Sequence, residues 1–218
     1  FTEHVLSRGV EVLHRIRELT VQMSNDSYGF PERQAAIVEI TNLKDEMLSV
    51  ANQEINGRRV FAGLGNIDPP FDANGVFLGD NGQMSAPVGE TTIHTGLPGG
   101  EPFIDPLGGD SVFTIIDNVL AAIGTSDGAQ ISATLSEIDT ASDRMTNGRT
   151  EIGRLRSELE STVNTLDHIK DMTIFSLSAE RDTDMIDAVM QLREAESGLK
   201  AAMAVTSRLE GMSLVDML

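Results

Sequence analysis

The side chains that could perform chemistry are few and widely separated in this chain. The histidines are His4, His14, His94 and His168, and none has the HExxH-type spacing that brings two imidazoles onto one metal ion. Cysteine is absent, which removes disulfides, thiol catalysis and thiolate metal sites together. We therefore expect no catalytic, cofactor-binding or metal-binding residues, and no enzymatic activity.

Two other motifs have plain structural interpretations. Gly63-Leu64-Gly65 is the nearest approach to a phosphate-binding glycine motif, but it lacks the third glycine and a following helix, so it predicts a turn. Glu158 and Glu160 are two residues apart on a predicted helix, where such side chains do not face each other. This spacing indicates a solvated helix face rather than an acid–base pair.

The net charge of the chain indicates which kinds of partner its surface charges would repel. The 16 Lys and Arg residues stand against 34 Asp and Glu residues, which gives a formal net charge of −18. Such a surface repels phosphate backbones and anionic membranes. The apolar runs are also too short to span a bilayer. We expect neither nucleic acid nor membrane as a partner, which leaves other proteins.

The elements that must carry any function begin with two helices, over about residues 2–23 and 31–55. Apolar residues recur in both at steps of three and four, the spacing of one helix face. Pro31 suits a first helical turn, and Asn56-Gly57 is expected to end the second helix as a left-handed cap. The apolar positions are Val5, Val12, Ile16, Leu19 and Met23, then Ala36, Ile40, Leu43, Met47 and Val50.

Residues 58–110 have a different character, with most of the prolines and many glycines. Turn pairs such as Asn74-Gly75 separate short apolar stretches, and residues 91–95 are a strand candidate. This pattern predicts short strands and loops inserted between helices. Ser111 then suits the N-cap of a short helix that ends near Ile123.

A long third helix is predicted from about Ala129 to Phe175. Apolar residues fall every seven residues with complementary positions between them, which is the pattern of a packed helical seam. The predicted core seam comprises Ile138, Met145, Ile152, Leu155, Leu159 and Leu166.

A last helix is predicted from about Thr183 to Met212, capped by residues 182–184. Its Ala- and Leu-rich stripe and the apolar chain end beyond it have no evident cover, and exposed apolar surface of this kind is usually covered by a partner. We therefore expect the segment Thr183–Leu218 to be weakly ordered in a free subunit and to fold on assembly. The predicted assembly interface comprises Leu192, Ala195, Leu199, Ala202, Leu209, Leu214 and Leu218.

The order of these segments resembles that of the bacterial flagellin family. Residues 18–22 resemble its helix with an E-L-x-x-Q motif, and residues 31–58 resemble the following helix with its exit through an N-G pair. Two stretches are more similar to the hook–filament junction members, the hook-associated proteins, than to filament flagellin. They are residues 59–71, with an R-V-F-A-G motif and a later P-P-F, and the S-L-x-D-x-L ending at 213–218.

The resemblance implies a mainly α fold, a flagellin-like elongated helical bundle or coiled coil with a small β-rich insertion. It implies a rod-like core from residues 1–57 and 111–175, an inserted region at 58–110, and a C-terminal assembly helix at 176–218. The chain begins at Phe1 without an initiator Met, so we expect the family's N-terminal segment to lie upstream.

The function implied is that of a structural subunit that joins hook to filament by coiled-coil packing of terminal helices. Such a protein is secreted through the flagellar type III export apparatus and resides in the flagellum. Its partners would be other copies of itself in a ring, a neighbouring hook-associated protein, flagellin and an export chaperone, with no cofactor.

Two alternatives remain at this point. Filament flagellin shares the helices, although the short insertion and the C-terminal ending argue against it. A coiled-coil export chaperone or regulator shares the periodicity, but it has no reason to carry the 58–110 insertion or an apolar terminus.

Overall fold

Helices form most of the chain in the computed structural model, which describes residues 1–25, 27–89 and 91–215, without the side chains of 91, 182, 183 and 209–215. The mainly α fold class is confirmed. The elements are α1 Thr2–Met23, α2 Phe30–Ala51, β1 Glu54–Ile55, β2 Arg58–Arg59, β3 Gln83–Val88, β4 Thr91–Pro98, α3 Val112–Thr125, α4 Gly128–Ala133 and α5 Leu135–Val215.

Helix α1 has the predicted bounds, and its apolar face is buried. Residues at the predicted three- and four-residue steps, such as Ile16 and Met23, are almost completely inaccessible to solvent. Thr20 lies among them and donates its hydroxyl to the Ile16 carbonyl at 2.7 Å, so its polar group is satisfied within the helix. The face predicted from the sequence is therefore the one that enters the core.

Helix α2 ends earlier than expected, at Ala51. Asn56 and Gly57 both have positive φ, 51° and 79°, and they connect β1 to β2 rather than capping the helix. A two-residue hairpin loop of the I′ type needs positive φ at both central residues, which is the property that also suits a left-handed cap. The predicted helix end at residue 55 was wrong because the N-G pair fits both structures.

The inserted region contains the predicted strand, which is confirmed as β4, and pairs it with β3 as an antiparallel hairpin. Ala86 pairs with Ile93, and Val88 pairs with Thr91. Ile93 and Leu97 lie on one face of β4 and are buried. The hairpin therefore has an inner, apolar face.

An aromatic cluster joins the insertion to α3. The Phe61 and Phe103 ring centroids are 4.9 Å apart, and Phe71 lies 5.5 Å from Phe113 at the start of α3. Gly75 has φ of +80°, and a Cβ there would lie 2.2 Å from the Phe113 ring. Glycine is required at this turn both for its backbone conformation and for the close approach.

Helix α3 begins where the sequence predicted, because the Ser111 hydroxyl accepts a hydrogen bond from the Thr114 amide at 3.1 Å. After a left-handed residue at Ser126, Asp127 caps the short helix α4. The predicted helix from 129 is therefore divided at Thr134, where α4 ends and α5 begins.

Helix α5 continues for 81 residues, from Leu135 to Val215, without the interruption expected between residues 175 and 183. The intervening stretch, Ser176 to Asp184, is polar but contains neither proline nor glycine. Nothing in it removes a backbone donor or forces a turn, so the helix is not broken there.

Contacts divide the chain into two units, residues 1–160 and 161–218. The first unit holds one core, to which α1, α2, α3, α4, the insertion and the start of α5 contribute. A Cβ at Gly9 would come within 2.8 Å of the Met145 sulfur, so α1 and α5 pack closely there. The second unit, described by itself, is the remainder of α5. The division expected at residues 57, 110 and 175 stays a prediction of domain organisation.

Candidate assembly surface

The predicted interface lies on the second unit, where its described side chains are exposed. Leu192 is 60% exposed and Leu199 is 61% exposed. Ala195 and Ala202, which alternate with them, are also exposed. We call Leu192, Ala195, Leu199 and Ala202 the C-terminal stripe. The other predicted members, Leu209, Leu214 and Leu218, lie outside the residues whose side chains are described.

The stripe lies along one side of α5 because the helix is continuous through it. Residues three and four apart on a helix are neighbours, with about 5–6 Å between their Cβ atoms. Leucines that alternate with alanines form shallow depressions, which allow a second helix to approach closely. The stripe therefore has the geometry of one half of a helix–helix contact.

The sequence analysis missed a wider set of exposed apolar residues around this stripe. At about 100° per residue they point to several sides of α5 rather than to one seam. A helix that is apolar on most sides is normally covered on most sides. The sequence evidence for them was the number of apolar side chains between residues 172 and 205 that lie outside the heptad positions. The added residues are Met172, Ile174, Phe175, Leu177, Ile186, Val189, Met190, Met203 and Val205.

The predicted core seam lies in two different environments. Ile138 and Met145 are fully buried in the first unit, and Leu155 is 2% exposed. Ile152 and Leu159 are half-buried. Leu166 lies in the second unit and is 47% exposed. The heptad spacing persists through residue 166, but burial does not follow it beyond about residue 159.

A glycine at one seam position shows how the first unit closes around α5. A Cβ at Gly148 would lie 3.5 Å from Leu6 of α1, and equally far from Leu97 and Pro102 of the insertion. The helix surface is therefore in contact with two separate parts of the chain at this point. The small residue allows both to pack against the backbone of α5.

Ion pairs reinforce the helix packing in the first unit. The Arg17 Nε lies 2.6 Å from Asp139 Oδ1, which links α1 to α5, and the Lys44 amine lies 2.6 Å from Asp117, which links α2 to α3. Hydrogen bonding by the Asp139 carboxylate raises the pKa of the Arg17 guanidinium. Exposed pairs of this kind contribute little stability each, so they fix helix register more than they hold the bundle together.

The chemistry-bearing side chains do not assemble into a site within the described part of the chain. The four histidines are all exposed. Among the side chains that the structure describes, no His, Asp and Glu residues form a group that could hold a metal ion. Among the helices described, none is both long enough and apolar enough to cross a membrane.

One carboxylate in the insertion has a structural role. The Asp80 side chain accepts hydrogen bonds from the amides of Leu64, Gly65 and Gly82, at 2.9, 2.7 and 2.7 Å. These donors lower the pKa of the Asp80 carboxyl, with a smaller contribution from the charge of Arg58. The glycine pair that could suggest phosphate binding is thus occupied by an internal carboxylate.

Family models match both helical ends of the chain. Residues 1–66 match the model of the bacterial flagellin N-terminal helical region, and residues 135–218 match that of the bacterial flagellin C-terminal helical region.

Individual relatives include both filament and hook-associated proteins. The flagellar filament 31.3 kDa core protein of Treponema maltophilum is 28% identical over 191 residues, covering 84% of this chain and 61% of the relative. Flagellar hook-associated protein 3 of Escherichia coli K12 is 22% identical over 245 residues, covering 97% of this chain and 74% of the relative. The chain thus spans about three fifths of the first relative's length.

Solved structures share the fold. FlgL from Xanthomonas campestris has a TM-score of 0.69 at 20% identity, covering 81% of this chain and 92% of that one. The hook-associated protein-3 of Legionella pneumophila has a TM-score of 0.73 at 15% identity, covering 83% of this chain and 91% of that one. Bacillus cereus flagellin has a TM-score of 0.52 at 18% identity, covering 75% and 80%.

Proposed function

Because the chain belongs to the bacterial flagellin family, we propose that it is a structural, non-enzymatic subunit of the flagellum that joins the hook to the filament. The observation that carries the proposal is the exposed apolar surface of the second unit, centred on the C-terminal stripe. The presence of a hook-associated protein among the relatives supports the junction role. The fold likeness agrees, since the TM-scores with the hook-associated structures exceed that with flagellin.

The mechanism is assembly-coupled burial. Burying one leucine contributes about 1.5–3 kcal/mol, whereas ordering the backbone costs about 1–2 kcal/mol per residue. An exposed stripe therefore cannot stabilise its own helix in a free subunit. When helices of neighbouring subunits cover Leu192 and Leu199, the segment from Thr183 onward becomes ordered and the subunit is held in place.

The partners follow from this role. Other copies form a ring, with a hook-associated protein and flagellin as neighbours, and an export chaperone covers apolar segments before secretion. The working location is the extracellular flagellum at the hook–filament junction.

Replacing Leu199 with Asp tests the mechanism, because it places a charge in the middle of the stripe. We expect L199D to leave the first unit folded and to reduce incorporation into the flagellum at least tenfold, with flagellin monomers released into the medium. Ser197 is exposed on the opposite side of α5, so S197D is the matched control and should incorporate normally. Antibody labelling of sheared hooks gives the position of the protein in the flagellum. Global unfolding of L199D would contradict the mechanism.

Filament flagellin is the second candidate, favoured by the 28% identity to a filament core protein. The same labelling separates the two functions. A filament subunit would be labelled along the whole filament, whereas a junction subunit would be labelled in a narrow zone at the end of the hook.

A further inference from the structure

The second unit carries basic side chains that form no ion pair with any other described side chain. The sequence has no Lys or Arg from residue 60 to residue 143, and five of its 16 basic residues lie in the second unit. In the first unit, Arg17 and Arg156 form ion pairs at 2.6 and 2.9 Å. The ion pairs between described side chains end at Glu160, so the charges beyond it remain available to another molecule.

Three of these basic residues lie on one side of α5. Arg193 and Lys200 are seven residues apart, a spacing that turns a helix side chain by only about 20°, and Arg208 follows eight residues later. All three side chains are exposed. Glu196 lies within one turn of Arg193 and Lys200 but forms no ion pair with either. We call Arg193, Lys200 and Arg208 the basic row, which faces away from the C-terminal stripe at about 100° per residue.

Acidic side chains form a second row on a different side of the same helix. Glu180, Asp187 and Glu194 recur every seven residues, and Asp184 lies on the same side one turn after Glu180. All four are exposed. At about 100° per residue, this side is roughly a quarter turn from the C-terminal stripe and contains no Lys or Arg between residues 180 and 194. We call these four residues the acidic row.

The two rows match each other under a single shift along the helix. Each heptad-spaced acid has a base 13 or 14 residues after it. The pairs are Glu180 and Arg193, Asp187 and Lys200, and Glu194 and Arg208. At a rise of about 1.5 Å per residue, one shift of about 20 Å places all three acids of one helix beside all three bases of a parallel second helix. The common spacing selects a second copy of this chain as the partner.

We propose that the acidic row of one copy contacts the basic row of a second, parallel copy that is shifted along α5 by 13 to 14 residues. The two rows are different surfaces, so the contact is heterologous, and each copy presents one row to each of two neighbours. Because of the shift, the contact repeats from copy to copy and does not close as a two-fold dimer. The inference adds a surface separate from the C-terminal stripe, and it rests on the proposed function in requiring several copies assembled side by side.

Exposed charge pairs of this kind set the register of neighbouring helices more than they hold a subunit in place. Burial of the C-terminal stripe retains the subunit, so a single change of charge on the side of the basic row, including S197D, should leave incorporation nearly normal. The contact is expected in assembled flagella, where other interfaces raise the effective concentration, and not in dilute monomers.

Disulfide trapping tests the register, because the 218-residue chain contains no cysteine. Cells would express the full-length natural protein with Glu180→Cys and Arg193→Cys in the same chain, and their sheared flagella would be oxidised. These positions lie about 20 Å apart on one helix, so their cysteines cannot join within a copy. We expect reducible products of two, three and more copies, at least tenfold above those of either single variant.

The matched control combines Glu180→Cys with Lys200→Cys, which uses the same two rows but is out of register by about 10 Å. It should give at least tenfold less product. Equal product from this control, or none from the Glu180→Cys and Arg193→Cys pair, overturns the proposal. A stronger product from Glu180→Cys with Arg208→Cys, which an antiparallel pair of helices would give, also overturns it.

Carbodiimide coupling of unmodified flagella tests the choice of partner, since it joins the Lys200 amine to a carboxylate in contact with it. Mass spectrometry should find Lys200 joined to Asp187, which lies too far along the same helix to be coupled within a copy. Lys200 joined only to another flagellar protein overturns the choice of a second copy.

Antibody position tests the junction role separately from the contact. Disulfide-linked copies that are labelled along the whole filament would uphold the contact and contradict the junction role. Labelling confined to the end of the hook, without the disulfide-linked products, would uphold the junction role and contradict the contact.

Discussion

At the scale of single residues, burial decides which seam positions hold the fold. Leu155 and Leu166 both fit the heptad pattern, yet Leu155 is 2% exposed and Leu166 is 47% exposed. Heptad spacing reports that a helix face is apolar, whereas burial depends on what lies against that face. The two residues should therefore respond differently to the same substitution.

Replacing Leu155 with Asp should lower the free energy of unfolding of the first unit by at least about 3 kcal/mol, because an unpaired carboxyl would be buried. Leu166→Asp is the matched control, with an expected change of less than about 1 kcal/mol. Urea unfolding followed by circular dichroism measures both. Equal losses for the two variants would show that the first unit extends beyond residue 160.

Glycine requirements can be separated in the same way. Gly57 and Gly75 have nearly the same φ, +79° and +80°, but only a Cβ at Gly75 would strike a neighbour, the Phe113 ring. Gly57→Ala should cost about 1 kcal/mol from backbone strain alone. Gly75→Ala should cost about 1–3 kcal/mol more from overpacking, measured by thermal unfolding. Similar losses of stability for the two variants would mean that the aromatic cluster rearranges at little cost to accommodate the new Cβ.

At the scale of elements, the sequence predicts helices well where one face is apolar and the other is charged. Helix α1 meets this condition over its whole length, and its bounds were predicted. The end of α2 was not predicted correctly, because Asn56-Gly57 suits a helix cap and a hairpin turn equally. Only the pairing of β1 with β2 distinguishes the two structures. The aromatic cluster was beyond sequence reasoning, since it joins residues as distant as Phe61 and Phe113.

The assembly role of the candidate surface stays a prediction, and only the exposure of its described residues can be compared with the sequence. The spacing of Leu192, Ala195, Leu199 and Ala202 identified a stripe, and the structure leaves these residues exposed. Neighbours such as Phe175, which is 75% exposed, were missed because they do not follow the heptad. Heptad periodicity identifies one apolar face of a helix. It does not identify the additional apolar residues of a helix that is apolar on several sides.

Helix α5 should be stable at one end and labile at the other in a free monomer. Residues 135–160 contribute to the core, whereas the segment from Thr183 onward is exposed wherever its side chains are described. We expect amide hydrogen exchange in the later segment to be at least one hundredfold faster than in residues 135–160, because local opening costs little there. Strong protection across both parts of the monomer would contradict assembly-coupled folding.

At the scale of the whole molecule, the two units divide the physical tasks. The first unit holds the core, the aromatic cluster and the ion pairs, so we expect it to fold by itself around α1 and the start of α5. The second unit carries most of the exposed large apolar side chains. We expect a net charge of −18 to oppose nonspecific association of such subunits in solution.

The absence of Lys and Arg between Arg59 and Arg144 has a consequence for protease digestion. Trypsin has no cleavage site from residue 60 to residue 143, whereas Lys170, Arg181, Arg193, Lys200 and Arg208 are all exposed on α5. Brief trypsin treatment of the monomer should therefore remove the second unit and leave a resistant fragment of the first, as mass spectrometry would show. In assembled flagella the same bonds should survive, so the digestion pattern distinguishes a subunit in transit from one in place.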